Sequence, residues 1–474
     1  MSYFDELDKY GDRTALLQED GLSLTYAQLA QEAGEIAAHV TPRSLVFSFC
    51  RNVIGSVCGY LGFLNAKAVP LLLDSGINEV LAQTLMDIYS PAYLYVPQEL
   101  AERYPAMEHV FEKHDYVLLR TGFEKSWPLY EELGLLLATS GSTGSPKLVR
   151  QSYRNIQSNA EAIAEYLELD ETERPVTTLP MNYTYGLSII NSHLLVGAQI
   201  LMTTHPIVSK EFWDFMKTNG ATSFGGVPYT YEMLKRVRFF RMDLPALRTM
   251  TQAGGKLSPE LHREFALYAQ EHGKHFIVMY GQTEATARMA WLPHDKSLEK
   301  YGSMGIAIPG GRLSLIGVDG NEIEEPEVTG ELVYEGDNVT LGYAQQGADL
   351  SLGDERHGRL ETGDMAKRDA DGYYYIVGRK KRFLKLFGNR INLDEVDRMV
   401  KDAFEGIDCA TTGTDELMQV YITDAGRRSE VEAFLLDRIH INASAMCVNV
   451  IDAIPKNEAG KVLYVQLGKE ENHE

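Results

Sequence analysis

The sequence predicts an α/β protein: a large N-terminal domain of stacked, mainly parallel α/β layers with a small β subdomain, then a small α/β C-terminal domain. Three observations carry this. Between residues 44 and 73, the apolar runs SLVFSF and AVPLLL flank a Gly-containing apolar segment at 53–65, a β-α-β cadence. Between 311 and 378 the composition shifts to short strand-like runs (RLSLI, GELVYEG, VTLGY) separated by Gly and Asp turns. Beyond that, enough chain remains for a further small core. The expected boundaries are 1–380 for the large domain, with its β-rich part at 310–378, and 381–474 for the small one.

Composition narrows the function. The 474 residues are 44% hydrophobic and 24% charged, ordinary for a globular chain. A net charge of −22 argues against nucleic acid or an anionic membrane as partner, since both reward clustered Lys and Arg. The dense basic run Arg379-Lys380-Lys381-Arg382 sits inside another motif. Cys50, Cys58, Cys409 and Cys447 are too few and too scattered for a disulfide framework or a metal finger. No apolar span is long enough to cross a membrane, and the first residues are acidic and polar. A cytoplasmic protein without membrane insertion is expected.

Taken in order, residues 1–40 read as a strand, a Gly turn, a second strand and a helix beginning near Thr25. Apolar residues 135–137 form a buried strand that feeds Thr139-Ser140-Gly141-Ser142-Thr143-Gly144-Ser145-Pro146-Lys147. Gly141 and Gly144 allow backbone N–H groups to turn toward an anion; the hydroxyls add donors, and Lys147 adds a point charge suited to phosphate. This is not a Walker A loop, because Ser145 and Pro146 intervene before the lysine. A helix follows over 153–167, with Ile156, Ala160, Ile163 and Leu167 on one face. LPMNYTYGLSII at 179–190 places Asn182 and Tyr183 in a turn before a buried helix. Two strand-glycine-helix corners follow, with Gly225 and Gly226 in SFGGVPYTYEML and Gly254 and Gly255 in TQAGGKLSPEL. VMYGQTEAT supplies Tyr280, Gly281, Thr283 and Glu284. Thr-Gly-Asp at Asp364 precedes Gly-Arg at Arg379. In the last domain, Asn392 or Asp394 caps a helix through Phe404, and Ser429 opens a capping box with Glu432. IPKNEAGKVLY near the end carries Lys461.

In this order the segments resemble the adenylate-forming (acyl-activating) enzymes, which comprise acyl- and aryl-CoA synthetases, luciferases and peptide-synthetase adenylation domains. The resemblance covers nearly the whole chain. Its most specific part is the Tyr-Gly-x-Thr-Glu signature at Tyr280, Gly281, Thr283 and Glu284. It implies that residues 139–147 hold the β- and γ-phosphates of ATP, Glu284 and Thr143 the Mg²⁺ ion, and Thr283 the α-phosphate. It likewise implies Tyr280 against adenine, the four glycines as flat surfaces for adenine and the acyl group, and Asp364 and Arg379 on the ribose. Lys381 matches the hinge of a mobile lid, Gly388 the channel for a thiol-bearing arm, and Lys461 the catalytic lysine. A departure stands at Gln151 and Ser152, where the family commonly has Thr-His or a similar pair. Amino-acid-activating relatives keep an Asp where Tyr183 stands; without it an α-ammonium would be left unpaired. The implied function is ATP-dependent conversion of a small carboxylic acid to its acyl-adenylate with pyrophosphate release. Transfer to a phosphopantetheine thiol follows, on CoA or a separate acyl-carrier protein. Two alternatives stay open: adenylation with another acceptor, and a non-catalytic protein that binds ATP or acyl-adenylate. Retention of Lys461, Glu284 and Asp364 together argues against the second.

Overall fold

The computed structural model describes residues 2–138, 147–386, 389–414, 416–439, 441–456 and 462–467. These form two compact units, one of residues up to 138, 147–313 and 334–360, the other of 314–333 and 361 onward.

The first unit holds two large sheets. In the eight-stranded sheet, Leu45–Cys50 and Val69–Asp74 pair in parallel, and Leu45–Cys50 is buried along its whole length. Helices on both faces explain why such strands are apolar runs instead of alternating ones. The connecting helix, Ile54–Asn65, is buried on every side. The expected β-α-β unit is therefore present. Leu133–Ala138 and Leu148–Ser152 pair antiparallel, with Ala138 opposite Leu148, on either side of residues 139–146.

One strand differs from the sequence reading. Gly342–Ala344, the end of VTLGY, leaves the small β set and joins the edge of this large sheet, with Tyr343 opposite Val149. Buried Leu341 and Ala344 anchor it in that core, which short-range patterning does not reveal.

The nine-stranded sheet positions the site. Ser223–Gly226, Thr249–Gln252 and His275–Tyr280 are adjacent and parallel, with Gly226 opposite Gln252 and Gln252 opposite Val278. Their carboxyl ends line one edge, the edge at which open α/β sheets bind ligands. Both glycine corners and the Tyr280 turn emerge there.

Two buried histidines in this unit are neutral. His262 Nδ1 accepts from Gly302 N–H (3.1 Å) and its Nε2 donates to Ser297 Oγ (3.0 Å), so protonation breaks the Gly302 bond. Burial pushes both His262 and His193 down to about 4. A depressed imidazole stabilises the fold fully above the unfolded value, and that stability is lost as pH falls from about 6.5 toward 4, roughly 3 kcal/mol per ring. Urea unfolding at pH 7 and pH 4.5 is expected to show a smaller acid destabilisation in His262→Gln than in wild type.

A constellation not signalled by spacing is Glu32, Cys58 and His114, whose ligand-type atoms lie within 4.8 Å of one another. Glu32 Oε2 meets His114 Nε2 at 2.5 Å and Oε1 meets Lys113 Nζ at 3.5 Å. Burial pushes the Glu32 carboxyl up, but His114 and Lys113 outweigh it and hold it below the usual range.

The second unit contains a four-stranded sheet ordered Arg312–Ile316, Gly330–Glu335, Arg359–Arg368, Tyr374–Arg379, some of whose strands run across the division between the units. It also has a three-stranded sheet, Cys409–Gly413, Met418–Ile422 and Met446–Val450. Helices Leu393–Ala403 and Arg428–Ile439 share with that sheet a core of Val396, Val400, Val420, Val431 and Leu435. Asn392 caps the first helix by accepting from Asp394 N–H (3.0 Å). The second begins at Arg428, so Ser429 lies inside its first turn and is not the cap. The basic run is neutralised locally: Arg379 faces Asp364, Lys380 meets Glu331, and Arg382 is buried against Asp394 and Asp397. Among the described residues no helix is long and apolar enough to cross a membrane.

Candidate active site

Residues 281–289 form a tight loop closed by Met289 N–H donating to the Tyr280 carbonyl and by the pairing of Tyr280 with Ala290. Gly281 is required by close approach: a Cβ there would stand 1.7 Å from the Ala287 carbonyl oxygen. Thr286 adopts a φ of +65°, unfavourable for a β-branched residue. Thr184 Oγ1, donating to its carbonyl, and its own hydroxyl, donating to the Asn338 carbonyl (2.7 Å), hold it so. The turn is thus fixed by its surroundings and leaves Tyr280, Thr283 and Glu284 half-buried.

Glu284 is anchored twice. Its carbonyl accepts from Thr340 N–H (3.1 Å), Thr340 Oγ1 (2.9 Å) and Arg356 Nη1 (2.9 Å). Its carboxylate Oε1 accepts from the Tyr343 hydroxyl (2.7 Å). Burial, then the neighbouring Glu284 charge, pushes the Tyr343 phenol up to about 12, so it stays a donor at neutral pH. The Tyr343 ring also faces two cations, Arg356 at 4.7 Å and Lys147 at 5.5 Å from its centroid. Among the described residues no lysine or arginine side chain pairs with the Glu284 carboxylate. An anchored hard-oxygen donor beside two cations fits a polyphosphate and a divalent ion. Sequence reasoning missed Tyr343, Thr340 and Arg356, which lie more than fifty residues from Glu284; the displaced strand at Gly342–Ala344 is what delivers the tyrosine. Tyr343→Phe keeps the ring and removes the carboxylate's donor; kcat/KM for ATP is expected to fall about tenfold with unchanged unfolding midpoint.

The glycine corners border two tyrosines. Gly254 has a φ of +82°, and a Cβ there would lie 2.6 Å from the Tyr183 hydroxyl. A Cβ on Gly225 would meet the Tyr185 hydroxyl at 2.9 Å, one on Gly226 Thr230, and one on Gly255 Pro228 at 3.0 Å. Tyr185 in turn bonds Thr251 Oγ1 (2.8 Å). Burial raises the Tyr183 phenol above its ordinary value. Two buried amide oxygens, Asn182 Oδ1 and Gln252 Oε1, have no donor among the described residues.

In the second unit Asp364 and Arg379 are direct cross-strand partners, with Arg379 Nε 3.6 Å from Asp364 Oδ1. Asp364 is buried and Arg379 exposed. Lys381 lies in a 3₁₀ turn, Lys380–Arg382. Residues Thr139, Ser140, Gly141, Ser142, Thr143 and Gly144, the channel residue Gly388 and the lysine Lys461 lie outside the described residues. On either side of Lys461, Lys456 and Val462 are bridged and Leu463 N–H donates to the Pro455 carbonyl.

Strand ends presenting glycine corners and an anchored acidic turn define a nucleotide-dependent α/β enzyme. The chain matches the family model described as AMP-binding enzyme over residues 4–344. It is 26% identical to 2-succinylbenzoate–CoA ligase of Oceanobacillus iheyensis, covering 97% of this chain and 96% of that one. It is 28% identical to oxalate–CoA ligase of Arabidopsis thaliana, covering 96% and 95%. Its fold is similar to that of o-succinylbenzoate coenzyme A synthetase from Bacillus subtilis in complex with AMP, with a TM-score of 0.79, 21% identity and 98% of both chains covered. The chain belongs to the AMP-binding enzyme family, and so to the adenylate-forming enzymes.

Proposed function

We propose that the protein is an AMP-forming acid–thiol ligase. It activates a small carboxylic acid, not an α-amino acid, with ATP and passes the acyl group to a phosphopantetheine thiol, that of CoA in the first instance. The observation that carries this is the Glu284 carboxylate, held by Tyr343 beside Lys147 and Arg356. Full-length relatives that differ in their acid, 2-succinylbenzoate and oxalate, share the name CoA ligase, which supports CoA as acceptor and leaves the acid open.

A carboxylate is already a nucleophile at neutral pH, so no general base is needed. One carboxylate oxygen attacks the α-phosphorus, the bond to the bridging oxygen breaks, and pyrophosphate leaves with the electron pair. The protein's work is placement and charge neutralisation. Lys147, with residues 139–144, faces the β- and γ-phosphates. Glu284 and Thr143 would hold Mg²⁺, which would supply positive charge against the departing pyrophosphate. Thr283 contacts the α-phosphate and Tyr280 stacks on adenine. Gly254 and Gly255 bring backbone against the nucleotide, Gly225 and Gly226 against the acid beside Asn182 and Tyr183. Asp364 and Arg379 hold the ribose. Lys461 reaches the α-phosphate and the attacking carboxylate. Rotation about Lys381 then withdraws Lys461 and admits the thiol past Gly388. The thiol sulfur attacks the acyl carbonyl, AMP leaves, and the thiol proton goes to solvent. The Asn182–Tyr183 turn offers no carboxylate to an α-ammonium, which supports the exclusion of amino acids. Pyrophosphate release across a panel of carboxylic and amino acids tests this: release with carboxylic acids alone is expected, and none with any acid overturns it.

A further inference from the structure

Helix Tyr26–Ala38, helix Ile54–Asn65 and the turn between strands Glu108–Lys113 and Tyr116–Arg120 bring Glu32, Cys58 and His114 to one point of the first unit. Two glycines allow that approach. A Cβ on Gly55 would stand 2.7 Å from the His114 carbonyl oxygen, and one on Gly62 would stand 2.9 Å from the Ala33 carbonyl oxygen. The turn is His114-Asp115, with φ of +49° and +59°, between the paired residues Lys113 and Tyr116. Hairpin turns of this kind favour Asn and Gly; here a histidine takes the place and reaches Glu32.

One oxygen collects two partners. Glu32 Oε2 lies 2.5 Å from His114 Nε2 and accepts from Cys58 Sγ at 3.5 Å, while Oε1 lies 3.5 Å from Lys113 Nζ. Lys113 also pairs with Glu35 at 2.6 Å. An ion pair of Glu32 with His114 accounts for two of these groups, but not for a fully buried thiol on the same oxygen. A nucleophilic role does not account for it either: burial, then the Glu32 charge, raises the Cys58 thiol well above its ordinary value. Sulfur, imidazole nitrogen and carboxylate oxygen together are the donor set of zinc, whereas calcium and magnesium take oxygen alone. Among the described residues this is the one group of three or more His, Cys, Asp or Glu side chains close enough to share an ion. The His114 and Glu32 side chains keep 16% and 12% of their surface exposed, so an ion reaches the donors from solvent.

We propose that Glu32, Cys58 and His114 bind Zn²⁺, with water in the fourth position, at a structural site that none of the reaction steps above uses. On binding, the Cys58 thiol gives its proton to solvent, His114 presents Nε2 unprotonated, and Oε2 turns onto the ion. Lys113 stays on Oε1 and Glu35 and orients the carboxylate. Charge then balances, with two carboxylates and a thiolate against a divalent ion and an ammonium. The ion ties the helix that follows edge strand Ser23–Thr25 of the nine-stranded sheet to edge strand Glu108–Lys113 of the eight-stranded one.

The test titrates the full chain, freed of metal by a chelator, with Co²⁺ and then Zn²⁺, and reads the near-ultraviolet thiolate-to-cobalt band. Wild type is expected to bind about one cobalt per chain at this site, to lose the band to zinc, and to unfold at a midpoint that rises with zinc concentration. Cys58→Ala abolishes the band. His114→Asn places a residue suited to positive φ in the turn, and without metal it is expected to unfold at the wild-type midpoint. In that variant cobalt binds about a hundredfold more weakly and zinc no longer raises the midpoint. Neither readout needs turnover, so failure of the ligase reading leaves the site standing and failure of the site leaves the ligase reading standing. A wild type without the thiolate band overturns the proposal, as does a band that survives Cys58→Ala or an affinity unchanged in His114→Asn.

Discussion

Replacing Lys461 with alanine is expected to lower acid-dependent pyrophosphate release about a hundred- to a thousandfold, while thioester formation from preformed acyl-adenylate stays within about threefold of wild type. The reason is charge. A carboxylate approaching an α-phosphate brings one anion toward another, and an ammonium between them is needed only while that bond forms. In the proposed reaction the thiol attacks after Lys461 has withdrawn, so the loss falls on the first half-reaction alone. The alanine variant is expected to unfold at the wild-type midpoint. Quenched-flow measurement of the two half-reactions separates them. Equal loss in both assigns Lys461 to general stability; no loss in either removes it from the reaction.

Gly281→Ala is expected to abolish activity and to lower stability by about 3 kcal/mol. The added methyl would stand 1.7 Å from a backbone oxygen, which no rotamer can relieve, so the loop between Tyr280 and Ala290 has to open. Opening releases the strained Thr286 and the three donors on the Glu284 carbonyl together. Gly34→Ala is the control. It lies in helix Tyr26–Ala38 with open space around its Cβ position, and a gain of about 0.5–1 kcal/mol is expected there. Chemical unfolding of both variants checks the contrast; an active, stable Gly281→Ala contradicts it.

The sequence made some of this legible and hid the rest for physical reasons. The parallel strands were readable because burial on both faces leaves uninterrupted apolar runs, as at Leu45–Cys50. Asp364 and Arg379 were readable as a pair by motif, and the strand register makes them direct neighbours. Gly281 was recognised by its signature, but its cause, the crossing of residue 287, depends on a loop path that spacing does not encode. Tyr343 was hidden by its local context: VTLGY reads as one more strand of a β-rich stretch, and only tertiary packing places it on Glu284. Nothing local to Arg288 distinguishes a buried arginine from a solvated one, though it is almost fully enclosed.

The central claim is that a carboxylate oxygen of the substrate attacks the α-phosphorus of ATP and the acyl group then moves to a thiol. It is tested most directly with an acid from the panel labelled with heavy oxygen in its carboxylate, incubated with enzyme, ATP, Mg²⁺ and CoA, and followed by mass spectrometry. The predicted result is one heavy oxygen in AMP, none in pyrophosphate, and an acyl-CoA thioester formed in equal amount. Heavy oxygen in pyrophosphate or inorganic phosphate, or ADP in place of AMP, contradicts it.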